Sequence, residues 1–202
     1  MDTHTQRKWD KAAPNFDMMA GKGAEKRWRP FKEELFGNME GRILFLALGT
    51  GLDIETFPAG QNITAIDISP KMLEQAQPRI EEYDGSINAH VMDVHELEFE
   101  DNSFDQIYTS CTFCSVPRPV EGLQSLRRVL KPGGELRMFE HTGSKYYPFR
   151  FMMKMMSKVS EKMGPSMSRD TVDNVQAAGF EVQEVNNLFI DVVKTIKAVN
   201  PA

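Results

Sequence analysis

Gly49-Thr50-Gly51 and Asp67 are the residues whose types and spacing most directly suggest chemistry. The glycines follow an apolar run, Leu44-Phe45-Leu46-Ala47-Leu48, and Asp67 closes a second run, Asn62-Ile63-Thr64-Ala65-Ile66. Two glycines let the backbone turn sharply and approach a ligand closely. A carboxylate at the tip of the next strand can accept both hydroxyls of a ribose. The implied ligand is an adenosine-bearing cofactor. A dinucleotide fingerprint would continue to a third glycine, so that a helix N-terminus could face a pyrophosphate. Ile54 fills that place. The turn therefore suits the compact, phosphate-free S-adenosylmethionine better than a nicotinamide dinucleotide.

Other reactive side chains are few. His141 follows Glu140 at the end of an expected strand, where it is the candidate base for an acceptor. Cys111 and Cys114 form a Cys-x-x-Cys pair that leaves a strand rather than opening a helix, and no second pair completes a zinc site. They read as small pocket walls, and no metal is expected. Residues 145–163 set Arg150, Lys154, Lys158 and Lys162 four apart, with Phe149, Met152, Met153, Met156 and Met163 sharing the other side. That spacing describes a basic amphipathic helix, suited to peripheral contact with an anionic membrane or to covering the sheet beside the pocket.

The elements that must position these residues alternate short apolar runs with amphipathic stretches, the pattern of a parallel sheet with helices on both faces. Strands are expected at residues 42–48, 62–67, 86–92, 104–111 and 134–140, with helices between them. One helix starts with Ser69 as N-cap and Pro70 at its first position, turns Met72, Leu73, Ala76 and Ile80 inward, and is expected to end or kink at Pro78. Another runs from about Pro119 to Leu130 and stops at a Lys131-Pro132-Gly133-Gly134 turn. A third starts at Ser168 and is capped by Gly179. Residues 180–185 and 188–199 are expected to form a closing antiparallel hairpin through an Asn186-Asn187 turn. The fold class is therefore α/β, a Rossmann-like seven-stranded, mostly parallel sheet with a C-terminal antiparallel hairpin. Residues 1–40 form an N-terminal helical cap and residues 41–202 the cofactor-binding domain; Trp9, Phe16 and Trp28 in the cap are candidates for a lid that excludes water.

Composition bounds the partners. With 202 residues, 41% hydrophobic and 26% charged, the chain is expected to be one domain without a membrane span. The polar start and two cysteines point to a cytoplasmic protein. A net charge of −5 argues against broad nucleic-acid binding. Oligomeric state leaves no mark in the sequence.

The chain also resembles the class I S-adenosylmethionine-dependent methyltransferases over nearly all of residues 42–199. The resemblance rests on the glycine turn, on Ile66-Asp67-Ile68-Ser69-Pro70-Lys71-Met72-Leu73, Met92-Asp93-Val94 and Asp101-Asn102-Ser103-Phe104-Asp105, and on the run from Arg127 to Leu136. Cys111-Thr112-Phe113-Cys114-Ser115-Val116-Pro117 resembles the branch that includes bacterial phosphatidylethanolamine N-methyltransferases and related thiol and quinone methyltransferases. The resemblance implies that Asp67 holds the ribose and that Ile68 or Met72 flanks the adenine. It implies that Asp93 accepts from the adenine amino group while the Val94 amide donates. Backbone from Ala47 through Gly49, Thr50 and Gly51 would line the methionine portion, and Thr109 and Ser110 to Thr112 would lie beneath the sulfonium. Where the family opens its motif with an acid and a further glycine, this chain has Phe45 and Ala47.

The function expected is methyl transfer from S-adenosylmethionine to a small-molecule or lipid-like acceptor, with phosphatidylethanolamine nitrogen first and a thiol or quinone-like ring carbon next. A non-catalytic S-adenosylmethionine-binding protein is the alternative of a different class.

Overall fold

The computed structural model describes residues 1–20, 22–160, 166 and 168–202. Seven strands, β1 (Ile43–Leu46), β2 (Asn62–Asp67), β3 (Ser86–Val91), β4 (Phe104–Ser110), β5 (Leu130–His141), β6 (Glu181–Phe189) and β7 (Val193–Val199), form one sheet in the order β3-β2-β1-β4-β5-β7-β6. β1 to β5 run parallel, and β7 lies antiparallel to both β5 and β6. This is the mostly parallel Rossmann-like sheet expected from the sequence. The order reverses at β1, and a crevice opens there beyond the carboxyl ends of the strands.

All four residues of β1 are buried, as a central parallel strand covered on both faces requires. On one face Phe36 of α3 (Lys22–Phe36) and Ala76 of α4 (Pro70–Glu82) pack with Phe45 and Phe57. The Phe45 ring lies 5.6 Å from that of Phe36 and 4.8 Å from that of Phe57. Burying such a ring is worth about 1.5–3 kcal/mol, which explains why an apolar residue holds this position. On the other face Leu123, Leu126 and Val129 of α5 (Pro119–Val129) meet Val175 and Ala178, at the end of α7 (Thr171–Ala177). Two further helices precede the sheet, α1 (Thr3–Ala12) and α2 (Phe16–Ala20), and α6 (Phe149–Ser160) follows β5. No helix among the described residues is long and apolar enough to cross a membrane.

Several local expectations fail for identifiable reasons. Asn186 and Asn187 are not a turn; they pair with Thr195 and Lys194 inside β6. The chain reverses instead at residues 190–192, where Ile190 takes φ +51° and Asp191 accepts a hydrogen bond from the Lys145 amide at 2.6 Å. A tertiary anchor outweighs local turn preference. Pro78 neither ends nor kinks α4 enough to break it, because it lies on the exposed face, where water can take the carbonyl that its ring leaves free. α7 starts at Thr171, not Ser168: the Arg169 carbonyl accepts from the Gly143 amide at 2.7 Å, and the Arg169 guanidinium donates to the Val116 carbonyl at 3.2 Å. Gly179, at φ +92°, does cap that helix, with Phe180 N bonded to the Val175 carbonyl. Between β1 and β2 there is only a five-residue 3-10 helix, Leu52–Thr56, and none lies between β3 and β4 among the described residues. The Lys131–Gly134 stretch enters β5 directly through a register shift, with Gly133 at φ +75°.

Candidate active site

The crevice at the strand ends is lined by the turn after β1 (Ala47, Gly49), the tip of β2 (Asp67, Ile68), Met72 of α4, Met92 to His95 after β3, and Ser110 to Thr112 after β4. Ser115 to Pro117 and, from the N-terminal helices, Asp2, Thr5, Trp9 and Phe16 complete the wall. A Cβ on Gly49, which takes φ +60°, would meet nothing within 4 Å, so the bare backbone there faces open space. Gly51 serves another purpose. A Cβ there would fall 2.9 Å from Ile54 Cδ1 and 3.3 Å from Ala76 Cβ, so this glycine lets the turn pack against α4.

Asp67 is buried and accepts from Gly49 N through Oδ2 and from Ser69 N through Oδ1, each at 2.8 Å. Burial raises its pKa to about 6, against the pull of those amides. Both oxygens keep a lone pair directed to further donors, as two ribose hydroxyls would supply. Ser69 also caps α4 by accepting from Met72 N at 3.1 Å, so the carboxylate and the helix start share one frame.

Asp93 is the second acid. Burial pushes its pKa up, but the amides of His95 and Asp2 and the His95 imidazole outweigh that and hold it below the usual carboxylate range. His95 Nδ1 lies 2.7 Å from Asp93 Oδ1, and its Nε2 lies 3.1 Å from the Arg118 carbonyl. The ring thereby fixes the carboxylate. Sequence reasoning missed His95, although its place two residues beyond Asp93 was a usable signal.

Ala47, Gly49, Asp67, Ile68, Met72, Asp93, Val94 and Ser110 thus converge on one cleft, while Thr50, Gly51, Thr109 and His141 do not line it. Thr50 is buried and donates to Asp17 at 2.6 Å. Thr109 turns inward and donates to Glu140 Oε1 at 3.1 Å. His141, half-buried at the end of β5, has its pKa lowered by that burial.

Glu140 is fully buried, and its Oε1 also accepts from Thr112 N at 3.1 Å and Phe113 N at 3.2 Å. It holds the turn that carries Cys111 and Thr112 into the cleft. Burial raises its pKa to about 7, because three donors on one oxygen only partly replace the lost water. Cys111 takes φ +50° and Ala47 takes φ +58°, so two of the cleft-lining residues hold a conformation costly for L side chains. Cys111 opens to the cleft although protein surrounds it at longer range. That surrounding protein pushes its thiol pKa well up. Both cysteines are free thiols, and Cys114 donates to the Cys111 carbonyl. Among the described residues no cluster of acids, histidines and cysteines could hold a metal ion.

The open glycine backbone, one carboxylate with spare lone pairs and a second with a fixed ring behind it fit an adenosine. No polyanion-binding feature accompanies them: Ile54 is buried in the core.

Comparison with known proteins agrees. Residues 44–138 match the family model described as a methyltransferase domain. The chain is 32% identical over 168 residues to a ubiquinone/menaquinone biosynthesis C-methyltransferase, UbiE, of Geobacter sp. (strain M21), covering 78% of this chain and 72% of that one. It is 31% identical over 169 residues to the human thiol S-methyltransferase TMT1B, covering 75% and 68%. To a phosphatidylethanolamine N-methyltransferase of Cereibacter sphaeroides it is 29% identical over 126 residues, covering 61% and 62%. Among solved structures, the [4+2]-cyclase SpnF superposes with a TM-score of 0.75 at 17% identity, covering 98% of this chain and 95% of that one; this is likeness of fold.

Proposed function

The chain belongs to the S-adenosylmethionine-dependent methyltransferases, and from that premise we propose that its acceptor is lipid-like, with the nitrogen of phosphatidylethanolamine the first candidate. One observation carries this reading. After β5, α6 buries Met153 and Ser157 and leaves Phe149, Phe151, Met152, Met155 and Met156 exposed, with Tyr146 and Tyr147 exposed just ahead of it. Exposed Arg150 and Lys154 lie among them. An apolar, methionine-rich surface with basic residues is what an anionic lipid interface would accept. Ser166 N donates to the carbonyl of buried Cys114 at 2.8 Å, in the turn that also carries the cleft-lining Thr112 and Ser115. Lys162 and Met163, also expected on this helix, lie outside the described residues, as does the Lys158 side chain.

In this reading Asp67 accepts the ribose hydroxyls, Asp93 accepts from the adenine amino group with the Val94 amide beside it, and Ile68 and Met72 flank the base. Backbone from Ala47 to Gly51 lines the methionine portion, and Ser110 to Thr112 lie beneath the sulfonium. When bound, S-adenosylmethionine supplies a methyl group on a good leaving group, so alignment can provide most of the catalysis. The walls serve that alignment: Ser110, Cys111 and Thr112 are fixed by Glu140, and Trp9 and Phe16 exclude water. His141 is the candidate base from its place at the end of β5, although it does not line the cleft described above; burial lowers its pKa.

The test is methyl transfer from labelled donor to vesicles containing phosphatidylethanolamine, compared with small thiols and quinones. Label in the phospholipid supports the reading. Label entering only a thiol or quinone replaces it with the second reading, which the similarity to the UbiE and TMT1B proteins favours.

A further inference from the structure

Ile190 stands at the tip of the closing hairpin at φ +51°, a left-handed conformation that a β-branched residue rarely adopts. It is the second residue of the four-residue turn 189–192, closed by the Val192 amide donating to the Phe189 carbonyl at 3.1 Å. Hairpin turns that put φ above zero at that place favour glycine, asparagine or aspartate. Core groups hold the rest of the turn: Thr142 N donates to the Val192 carbonyl at 2.8 Å, and Thr142 Oγ1 donates to the Asp191 carbonyl at 3.2 Å. None of these bonds involves the Ile190 side chain, which is 51% exposed. It adds backbone strain and recovers only part of its burial. The fold alone would be better served by asparagine.

The neighbours of Ile190 indicate what it meets instead. Phe189 is exposed as well, and Arg27 of α3, itself exposed, sets its guanidinium 4.5 Å from the centre of that ring. Asp191 ties the turn to Lys145, whose successors Tyr146 and Tyr147 are exposed ahead of α6. The tip is thus joined to the apolar and basic surface of α6. Aliphatic and aromatic side chains set among tyrosine and arginine settle between acyl chains and anionic headgroups. A helix lying alone in such an interface leaves the body free to roll about the helix axis. A contact from a second element restrains that roll.

We propose that the turn between β6 and β7 is a second contact with an anionic lipid bilayer, inserting Phe189 and Ile190 while Arg27 meets the headgroups. This rests on the lipid-acceptor reading above and extends it: α6 attaches the chain, and the tip fixes how the body stands on the bilayer.

Ile190→Asn tests it, because asparagine tolerates φ +51° and carries no apolar tip. Co-sedimentation with vesicles of phosphatidylglycerol and phosphatidylethanolamine is measured for the wild type, for this variant and for Met152→Glu/Met155→Glu, with denaturant unfolding of the first two. Ile190→Asn should lower the vesicle partition coefficient by about tenfold. The same replacement should raise the denaturant midpoint, since the strain is relieved. Those opposite signs set a lipid contact apart from packing, whose loss would lower the midpoint. A lower midpoint or an unchanged partition coefficient overturns the tip contact; if the α6 variant still loses binding, the lipid-acceptor reading survives that result. A wild-type dimer that Ile190→Asn dissociates in sedimentation velocity, with partition unchanged, assigns the tip to a second copy of the chain and also overturns it. Failure of the wild type to bind these vesicles at all overturns the lipid reading beneath it and the tip contact with it.

Discussion

Asp67 and Glu140 are buried carboxyl groups, one at the cleft wall and one behind it, and each is tuned upward by that burial, to about 6 and about 7. For a group whose folded pKa lies above its unfolded value, the folded state holds the proton longer. Its contribution to stability is therefore full below the unfolded pKa and is lost as pH rises through the folded one. Glu140 places that loss between about pH 4.5 and about pH 7. Glu140→Gln keeps the oxygen that accepts from Thr109, Thr112 and Phe113 and replaces Oε2, which has no partner among the described residues. Denaturant midpoints across this range should fall less steeply with pH in the variant, by on the order of 3 kcal/mol in total; parallel profiles would contradict the role given to this carboxyl group. Asp67 was legible in the sequence because it closes a short apolar run, and Asp93 only through the resemblance carried by Met92-Asp93-Val94. Glu140 was passed over for His141, since spacing says which residues share a strand end but not which face each turns to. The same limit hid Thr109's inward turn and Gly51's packing role.

At the level of elements, short apolar runs and helical patterns placed all seven strands and the starts of α4 and α5, where Ser69, Pro70 and Pro119 mark the entry. They failed where distant groups decide: Asp191 anchors the hairpin to Lys145, and Gly143 holds Arg169 out of α7. For α6 the sequence correctly showed basic and apolar residues at helical spacing; of its apolar side Phe149, Met152 and Met156 are exposed and Met153 is buried. If this surface meets lipid, Met152→Glu with Met155→Glu should lower co-sedimentation with vesicles containing anionic phospholipid by about tenfold or more, and added salt should weaken wild-type binding as well. Sedimentation that ignores both changes would make α6 a cover for the sheet alone.

Across the whole molecule, three aspartates of the N-terminal helices reach the cofactor side of the sheet. Asp2 N donates to Asp93 at 2.7 Å, Asp10 accepts from Ser69 at 2.6 Å, and Asp17 accepts from Thr50 and pairs with Arg79 at 2.7 Å. Asp93, Ser69 and Thr50 are each next to, or part of, the residues that line the cleft. We propose that residues 1–40 act as a lid whose closure the donor favours. Limited proteolysis within residues 1–20 should therefore slow by about tenfold on saturation with S-adenosylhomocysteine, since ligand bound to the closed state suppresses opening. An unchanged cleavage rate would leave these helices as static packing. The account as a whole depends on where the nucleoside lies, and the most direct measurement is a crystal structure with S-adenosylhomocysteine. The account predicts ribose hydroxyls within hydrogen-bond distance of both Asp67 oxygens and the adenine amino group at Asp93. A nucleoside bound elsewhere, or turned so that Asp67 faces no hydroxyl, would contradict it.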